Sequence, residues 1–248
     1  MGIFNIFGKK EPVSLPFTTD IHCHIVPGVD DGSPDAETSA DLVARMMGWG
    51  IKRIIATPHV TEASFENTPD ILDPALHELN DELSRRGMDI QVTRASENRI
   101  DDFFRELLAK GLITPMPNNY LLVENSFIQE PWQLDQFLFD LKIQGYKPIL
   151  AHPERYFYYY GKNSHRYADL HRAGNLFQVN VLSLAGNYGK EEKKVAESLI
   201  EMGCVDFLGT DLHNSRHADV IDHYLTTSDA RKHFKALEGR LMNDRVFN

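Results

Sequence analysis

The sequence predicts an α/β protein whose parallel strands close into a seven-stranded (β/α)7 barrel. Three observations predict it. Strand-like runs alternate with helix-like runs seven times along the chain, and such alternation specifies βα units around a parallel sheet. The chain has 248 residues, 42% of them apolar, enough for one large domain with its own core. No G-x-G-x-x-G follows the first strand and no G-x-x-x-x-G-K-[ST] occurs anywhere. That weakens the main rival, an open doubly wound sheet that binds nucleotides.

The elements follow in order. Met1 to Leu15 is read as a flexible segment, and residues 16–248 as a single domain. The opening MGIFNIFGKK is too short, with charges on the wrong side, for a signal peptide. A frayed terminus is the simpler reading. The alternative is a weak membrane tether through Ile3, Phe4, Ile6 and Phe7, followed by Lys9 and Lys10. Strand one is Thr18 to His24. Ser33-Pro34-Asp35 then supplies an N-cap and a first-turn proline for a helix with the stripe Ala40, Val43, Met46 and Met47. Strand two, Ile51 to His59, leads through Thr68-Pro69-Asp70 into a helix carrying Leu72, Leu76, Leu79 and Leu83. Strand three is Asp89 to Glu97, strand four Asn119 to Glu124, strand five Lys147 to His152 and strand six Asn175 to Asn180. Strand seven, Val205 to Thr210, runs on to Asp211 and His213. The remaining helices are Ile100 to Ala109, Trp132 to Gln144, Ser164 to Ala173, Lys190 to Met202 and Asp229 to Leu241.

The residues that close the strands carry the chemistry. Side chains two apart on a strand share a face, about 7 Å apart at ~3.3 Å per residue. His22 and His24 therefore point together and Cys23 points away, as a packing residue. Asp31 lies in the loop beyond. Strand two ends in His59, three in Glu97, four in Glu124 and five in His152, while seven leads to Asp211 and His213; only strand six ends without a ligand type, in Asn180. Barrel active sites are built at these C-terminal strand ends. Each residue alone has an ordinary explanation as a turn residue or solvated group. Nine metal-compatible side chains at matching positions do not. A carboxylate ending a buried strand is costly unless it is paired or bound to metal. Nine nitrogen and oxygen ligands exceed a single closed zinc site and suit two or three ions. A set without thiolate fits Mn²⁺, Fe or Zn²⁺.

Composition bounds the partners. A formal charge of −10 argues against nucleic acid, but not against an anionic small group held by metal ions. Two cysteines far apart, Cys23 and Cys204, indicate no disulfide framework and a reducing cytoplasm. No apolar run is long enough to span a bilayer. Neither cysteine begins a C-x5-R: Val29 and Thr210 stand at the arginine positions. No D-x-D pair is present for an aspartyl-phosphate route.

These residues resemble the PHP superfamily, and within it the manganese-dependent bacterial tyrosine-protein phosphatases of capsular and exopolysaccharide loci. The resemblance is carried in order by Asp20 to Gly32 (DIHCHIVPGVDDG), Thr57-Pro58-His59, Leu122-Val123-Glu124, Ala151-His152-Pro153-Glu154-Arg155 and Thr210-Asp211-Leu212-His213-Asn214. It implies a distorted barrel with a trinuclear site. The ligands would be His22, His24, Asp31, His59, Glu97, Glu124, His152, Asp211 and His213, with Glu97 bridging two ions. It implies hydrolysis of protein phosphotyrosine by a metal-bridging hydroxide. Arg155 and Arg216 would hold the phosphate, and His213 would stand with them in the reaction. It further implies a partner, the phosphorylated tail of a tyrosine autokinase of polysaccharide export. Tyr156, Tyr158, Tyr159 and Tyr160 either wall the substrate ring or pack at the rim, and packing is the simpler expectation. Two alternatives share the ligand set: a phosphoesterase acting on histidinol phosphate or a nucleotide, and a catalytically silent metal-binding scaffold.

Overall fold

The computed structural model describes residues 11–247; the expected tether of residues 1–10 lies outside them. Nine strands are assigned among the described residues: β1 Thr19–Asp20, β2 Arg53–Ala56, β3 His59–Val60, β4 Gln91–Arg94, β5 Glu97–Arg99, β6 Tyr120–Glu124, β7 Lys147–Ala151, β8 Leu176–Asn180 and β9 Phe207–Gly209. They form two parallel sheets, ordered β1-β2-β4 and β3-β5-β6-β7-β8-β9. The architecture is α/β with a curled parallel sheet.

The expected strands two and three are each broken in two. Pro58 has no N–H to give the ladder, and the Thr57 N–H turns aside to the Cys23 carbonyl at 2.9 Å. Single bonds cross the break: Ala95 N to Ala56 O at 2.9 Å and Glu97 N to Pro58 O at 3.0 Å. Strand one is regular only over Thr19–Asp20. Its continuation runs beside the end of the last strand, where His24 N donates to Leu212 O and Asp211 N to His22 O, at 3.0 and 2.8 Å.

The helices are α1 Ala36–Gly48, α2 Pro69–Arg85, α3 Asp102–Lys110, α4 Leu134–Ile143, α5 His165–Arg172, α6 Val181–Leu184, α7 Lys190–Met202, α8 Ser215–Leu225 and α9 Ser228–Leu237. The cap of α1 is Asp35, not Ser33: its carboxylate accepts from the Thr38 N–H at 2.7 Å. Ser33 instead closes the loop after His24, its N–H donating to His24 O at 3.0 Å. Helices α6 and α8 fall where no helix was expected. Asn214 caps α8 by accepting from the His217 N–H. Its stripe Ala218, Ile221 and Leu225 is buried at helical spacing.

Strand alternation sorts two apolar clusters. Leu121, Val123, Leu150 and Leu208 pack outward with the helices. Tyr120, Leu122, Ile149, Ala151 and Phe207 form an inner cluster. Val246, after a turn at Asn243–Arg245, joins that inner cluster. Asn243 anchors the turn, donating to Thr19 O and Leu208 O and accepting from Leu208 N.

Candidate metal centre

Each inner strand face begins apolar and ends polar. On β6 the inner residues Tyr120 and Leu122 are followed by Glu124, and on the last strand Phe207 and Gly209 are followed by Asp211. The same period would send His152 outward, in step with Leu150. It does not go there, because His152 sits in the left-handed region at φ 32°, which turns its ring back inward. Asp211 is also left-handed, at φ 51°. Such backbone costs about 1–3 kcal/mol per residue and collects at functional sites.

All nine candidate ligands come together. Glu97 lies at the middle: its Oε2 is 3.4 Å from the Nε2 atoms of both His22 and His24 and 3.0 Å from His59 Nδ1. Its Oε1 is 2.9 Å from His152 Nε2, which also lies 3.5 Å from Glu124 Oε1. Asp211 Oδ1 is 3.5 Å from His22 Nε2, 3.4 Å from His24 Nε2 and 3.5 Å from His213 Nδ1. Asp31 Oδ1 is 3.5 Å from both His59 Nε2 and His213 Nε2. Four overlapping groups result: His24, Asp31, His59 and His213; His22, Glu97 and His152; His22, His24 and Asp211; and His59, Glu97 and Glu124.

The electrostatics express the crowding. Burial alone would raise Glu97 and Asp211. The facing histidines outweigh it and hold both carboxyls well below the usual range, His22 and His59 for Glu97, His22 and His24 for Asp211. Burial lowers His22, but Glu97 and Asp211 carry it up to about 9. Glu124 is pushed up to about 7 by burial and the neighbouring Glu97 charge. Burial and Arg155 bring His152 down to about 4.

The donor set fits divalent ions. Ligand bonds of ~2.1 Å put neighbouring donor atoms about 3–3.5 Å apart, the spacing found here. His22 and His24 each commit Nδ1 to the protein: to Gln178 Oε1 at 2.7 Å, and to Asp30 Oδ2 at 2.8 Å. That leaves their Nε2 atoms 3.4 Å apart, aimed at one region, the arrangement by which outer partners fix metal-binding imidazoles. Glu97 Oε2 and His59 Nδ1 are buried and face each other at 3.0 Å with no aligned hydrogen bond, a costly arrangement that an ion between the ligands would relieve.

Above these groups lies a cavity of about 350 Å³. Its walls include Asp31, His59, Glu124, His152, Asp211 and His213, together with Arg155, Phe127 and Tyr188. The Arg155 guanidinium stands 4.7 Å from the Phe127 ring and 4.2 Å from the Tyr188 ring, with Nη1 3.2 Å from Asp211 Oδ2. Arg216 is elsewhere: it is exposed in the first turn of α8 and is not part of this wall. The helix start at Ser215 carries it away, while Asn214 and His217 on either side line the cavity.

The tyrosines after Arg155 pack rather than line. Tyr156 and Tyr159 are buried. Tyr156 donates to Ala151 O, Tyr158 to Ser126 O and Tyr160 to Glu154 O. Sequence reading missed Phe127, Tyr188 and His217 in the wall. It also missed Asp30, which holds both His24 Nδ1 and the His59 N–H, at 2.8 and 3.0 Å. Only the Asp30-Asp31 doublet hinted at a second carboxylate. Cys23 is fully buried in the outer cluster, and burial with the nearby Asp20 charge raises its thiol well above the usual range.

A sequence profile for capsular polysaccharide synthesis proteins of the CpsB/CapC type matches residues 18–222. The chain belongs to the CpsB/CapC family. Tyrosine-protein phosphatase YwqE of Bacillus subtilis (strain 168) is 34% identical over 196 residues, 79% of this chain and 77% of its own. Tyrosine-protein phosphatase CpsB of Streptococcus pneumoniae is 27% identical over 201 residues, 79% and 82% of the two chains. Crystal structures of YwqE from Bacillus subtilis and CpsB from Streptococcus pneumoniae, described as unique metal-dependent tyrosine phosphatases, include a chain that superposes with a TM-score of 0.75. Its identity is 29%, over 93% of this chain and 95% of that one. A lactonase from Listeria monocytogenes, 12% identical with a TM-score of 0.58 over 96% of this chain and 99% of its own, shares the fold alone. No described helix of this CpsB/CapC chain is long and apolar enough to cross a membrane.

Proposed function

We propose that this chain is a metal-dependent protein-tyrosine phosphatase, acting in the cytoplasm on the phosphorylated tail of a kinase that controls capsular or extracellular polysaccharide synthesis. We read its strands as one distorted seven-stranded barrel. The nine side chains gathered around Glu97 would hold two or three divalent ions, Mn²⁺ first among the metals that suit nitrogen and carboxylate donors. The observation that carries the reading is the overlap of four ligand groups beneath a cavity whose wall bears a half-buried arginine, Arg155. The family relatives named as tyrosine phosphatases support it.

Bound ions of this kind supply Lewis acidity and an activated water at neutral pH. The residues of the chain do the rest. Asp31, Glu97, Glu124 and Asp211 leave a site with three divalent ions positive by about two charges, which suits a phosphate of roughly −1.5 to −2. Arg155 is pre-oriented by Asp211 and its two flanking rings. Its fork can hold two phosphate oxygens and stabilise their spreading charge. Phe127 and Tyr188 offer apolar faces to the substrate ring beside that arginine. The leaving tyrosinate, of parent pKa about 10, demands less protonation than an alkoxide.

The deciding experiment compares turnover of a phosphotyrosine peptide with that of histidinol phosphate and a nucleoside monophosphate, all under Mn²⁺. Preference for the peptide is expected. Preference for a small monoester overturns the substrate assignment, and a fully loaded but inactive protein overturns catalysis itself.

A further inference from the structure

Strand β8 is the one inner strand that ends without a ligand, yet its inner face is not apolar. Gln178 and Asn180 are both fully buried there, and their amides form a chain across the floor of the site. Asn180 Nδ2 donates to Asp211 Oδ2 at 2.6 Å, and Gln178 Nε2 donates to Asn180 Oδ1 at 2.8 Å. Gln178 Oε1 faces His22 Nδ1 at 2.7 Å and the His152 N–H at 3.3 Å.

The two ends fix the direction of every bond. A carboxylate only accepts and a backbone N–H only donates. Asp211 must therefore meet the NH₂ of Asn180. The Asn180 oxygen then takes the NH₂ of Gln178, and the Gln178 oxygen is left for His152 N–H and His22. His22 Nδ1 therefore donates to the Gln178 oxygen, so a neutral His22 ring carries its lone pair on Nε2, facing the site. At the other end, Asp211 Oδ2 is consumed by Asn180, by Tyr188 OH at 2.9 Å and by Arg155 at 3.2 Å. Only Oδ1 remains to face His22, His24 and His213. Glu154 supports the chain from behind, its Oε1 accepting from the Asn180 N–H at 2.8 Å. Gly209 on β9 makes the room: a Cβ there would lie 2.7 Å from Gln178 Nε2 and 2.6 Å from His22 Cβ.

We infer that Gln178 and Asn180 are positioning residues. They set the tautomer of His22 and restrict Asp211 to one ligating oxygen, so that two ligands from opposite ends of the chain present matched lone pairs to one ion. Gly209 belongs to the device as the residue whose missing side chain admits it. The inference rests on the metal reading of the site, but not on the substrate.

The test is Mn²⁺ affinity of the full chain, by competition with a fluorescent chelator, with melting of the metal-free forms as the fold control. Gln178→Leu removes the acceptor that faces His22 Nδ1 and the donation to Asn180. Asn180→Asp loses the donation to Asp211, and Gly209→Ala crowds the chain with one methyl. Each is expected to bind Mn²⁺ about 10–100-fold more weakly, the usual cost of losing an outer partner of a metal ligand. Wild-type affinity in all three overturns the inference. A wild type that binds no Mn²⁺ overturns the metal reading and this one with it, whichever substrate is turned over. Should the variants not fold, the Zn²⁺-loaded wild type decides by two-bond ¹⁵N–¹H correlation. A proton on His22 Nδ1 supports the inference, and one on Nε2 overturns it.

Discussion

The floor and the rim of the metal centre are built differently. On the floor, His22, His24, Glu97, Glu124, His152 and Asp211 are all buried. His22, His24 and Asp211 are each fixed by a partner that faces away from the centre: Gln178, Asp30 and Asn180 respectively. On the rim, His59 and His213 are half-buried and Asp31 is exposed. Asp31 meets its neighbours only at 3.5 Å. The floor is preorganised, so ions placed there need little reordering of the protein. The rim can give, and it is the side from which a phosphate arrives. An enzyme that must hold its ions yet exchange its substrate gains from this division.

Glu97 is where the two layers join, and breaking it is expected to have the largest effect. Its Oε1 serves the floor through His152, and its Oε2 reaches His59 on the rim. Glu97→Gln keeps the shape and removes the charge that offsets His22 and His59. Outer partners of metal ligands typically cost 10–100-fold when lost, so a ligand shared by both layers should cost more than about 100-fold in kcat/KM, with metal content falling in parallel. Near-normal turnover would mean that the layers do not meet at Glu97.

Asp31→Asn sharpens the contrast at a smaller scale. The rim loses its only carboxylate, while every floor contact stays as it is. Elemental analysis after gel filtration should find at least one divalent ion less per chain, with floor ions retained and kcat/KM down about 10-fold or more. Loss of all metal would instead make the centre one cooperative unit.

The same division separates what could be read from the sequence from what could not. The candidate ligands were legible because in a parallel sheet every strand ends at the same side. Residues placed at strand ends by alternation therefore converge, while Asp31 joins them from a loop and His152 only through its left-handed backbone. The outer partners were not legible, because they pair across the fold: His22 and Gln178 are 156 residues apart. Nothing local marks an amide as an orienting group rather than a strand-end residue. Asp30 was hidden by adjacency, since two carboxylates in one loop leave open which meets the ion and which holds the histidine. The strands themselves were placed well, but their lengths were overstated at Thr57-Pro58 and Ala95-Ser96, where bonds to neighbouring segments replace a regular ladder. Helix α8 carried its signal, Asn214 before Ala218, Ile221 and Leu225, among polar residues that dilute the stripe. Missing it left unread that Arg216 stands exposed on the first turn of that helix.

Cys23 offers the smallest expected effect, and it tests whether the floor or a thiol does the chemistry. It lies between two ligands in sequence, but strand alternation puts it on the other face, fully buried among apolar neighbours. Burial and the charges of Asp20 and Asp211 raise the thiol well above its usual range, and no C-x5-R follows it in the sequence. Cys23→Ala removes one buried sulfur, so stability should fall by about 1 kcal/mol, a melting shift of roughly 2–4 °C for a domain of this size. Phosphotyrosine turnover under Mn²⁺ should stay unchanged and resist thiol alkylation. An inactive Cys23→Ala variant that still melts cooperatively and binds its full complement of metal would return the reaction to the cysteine.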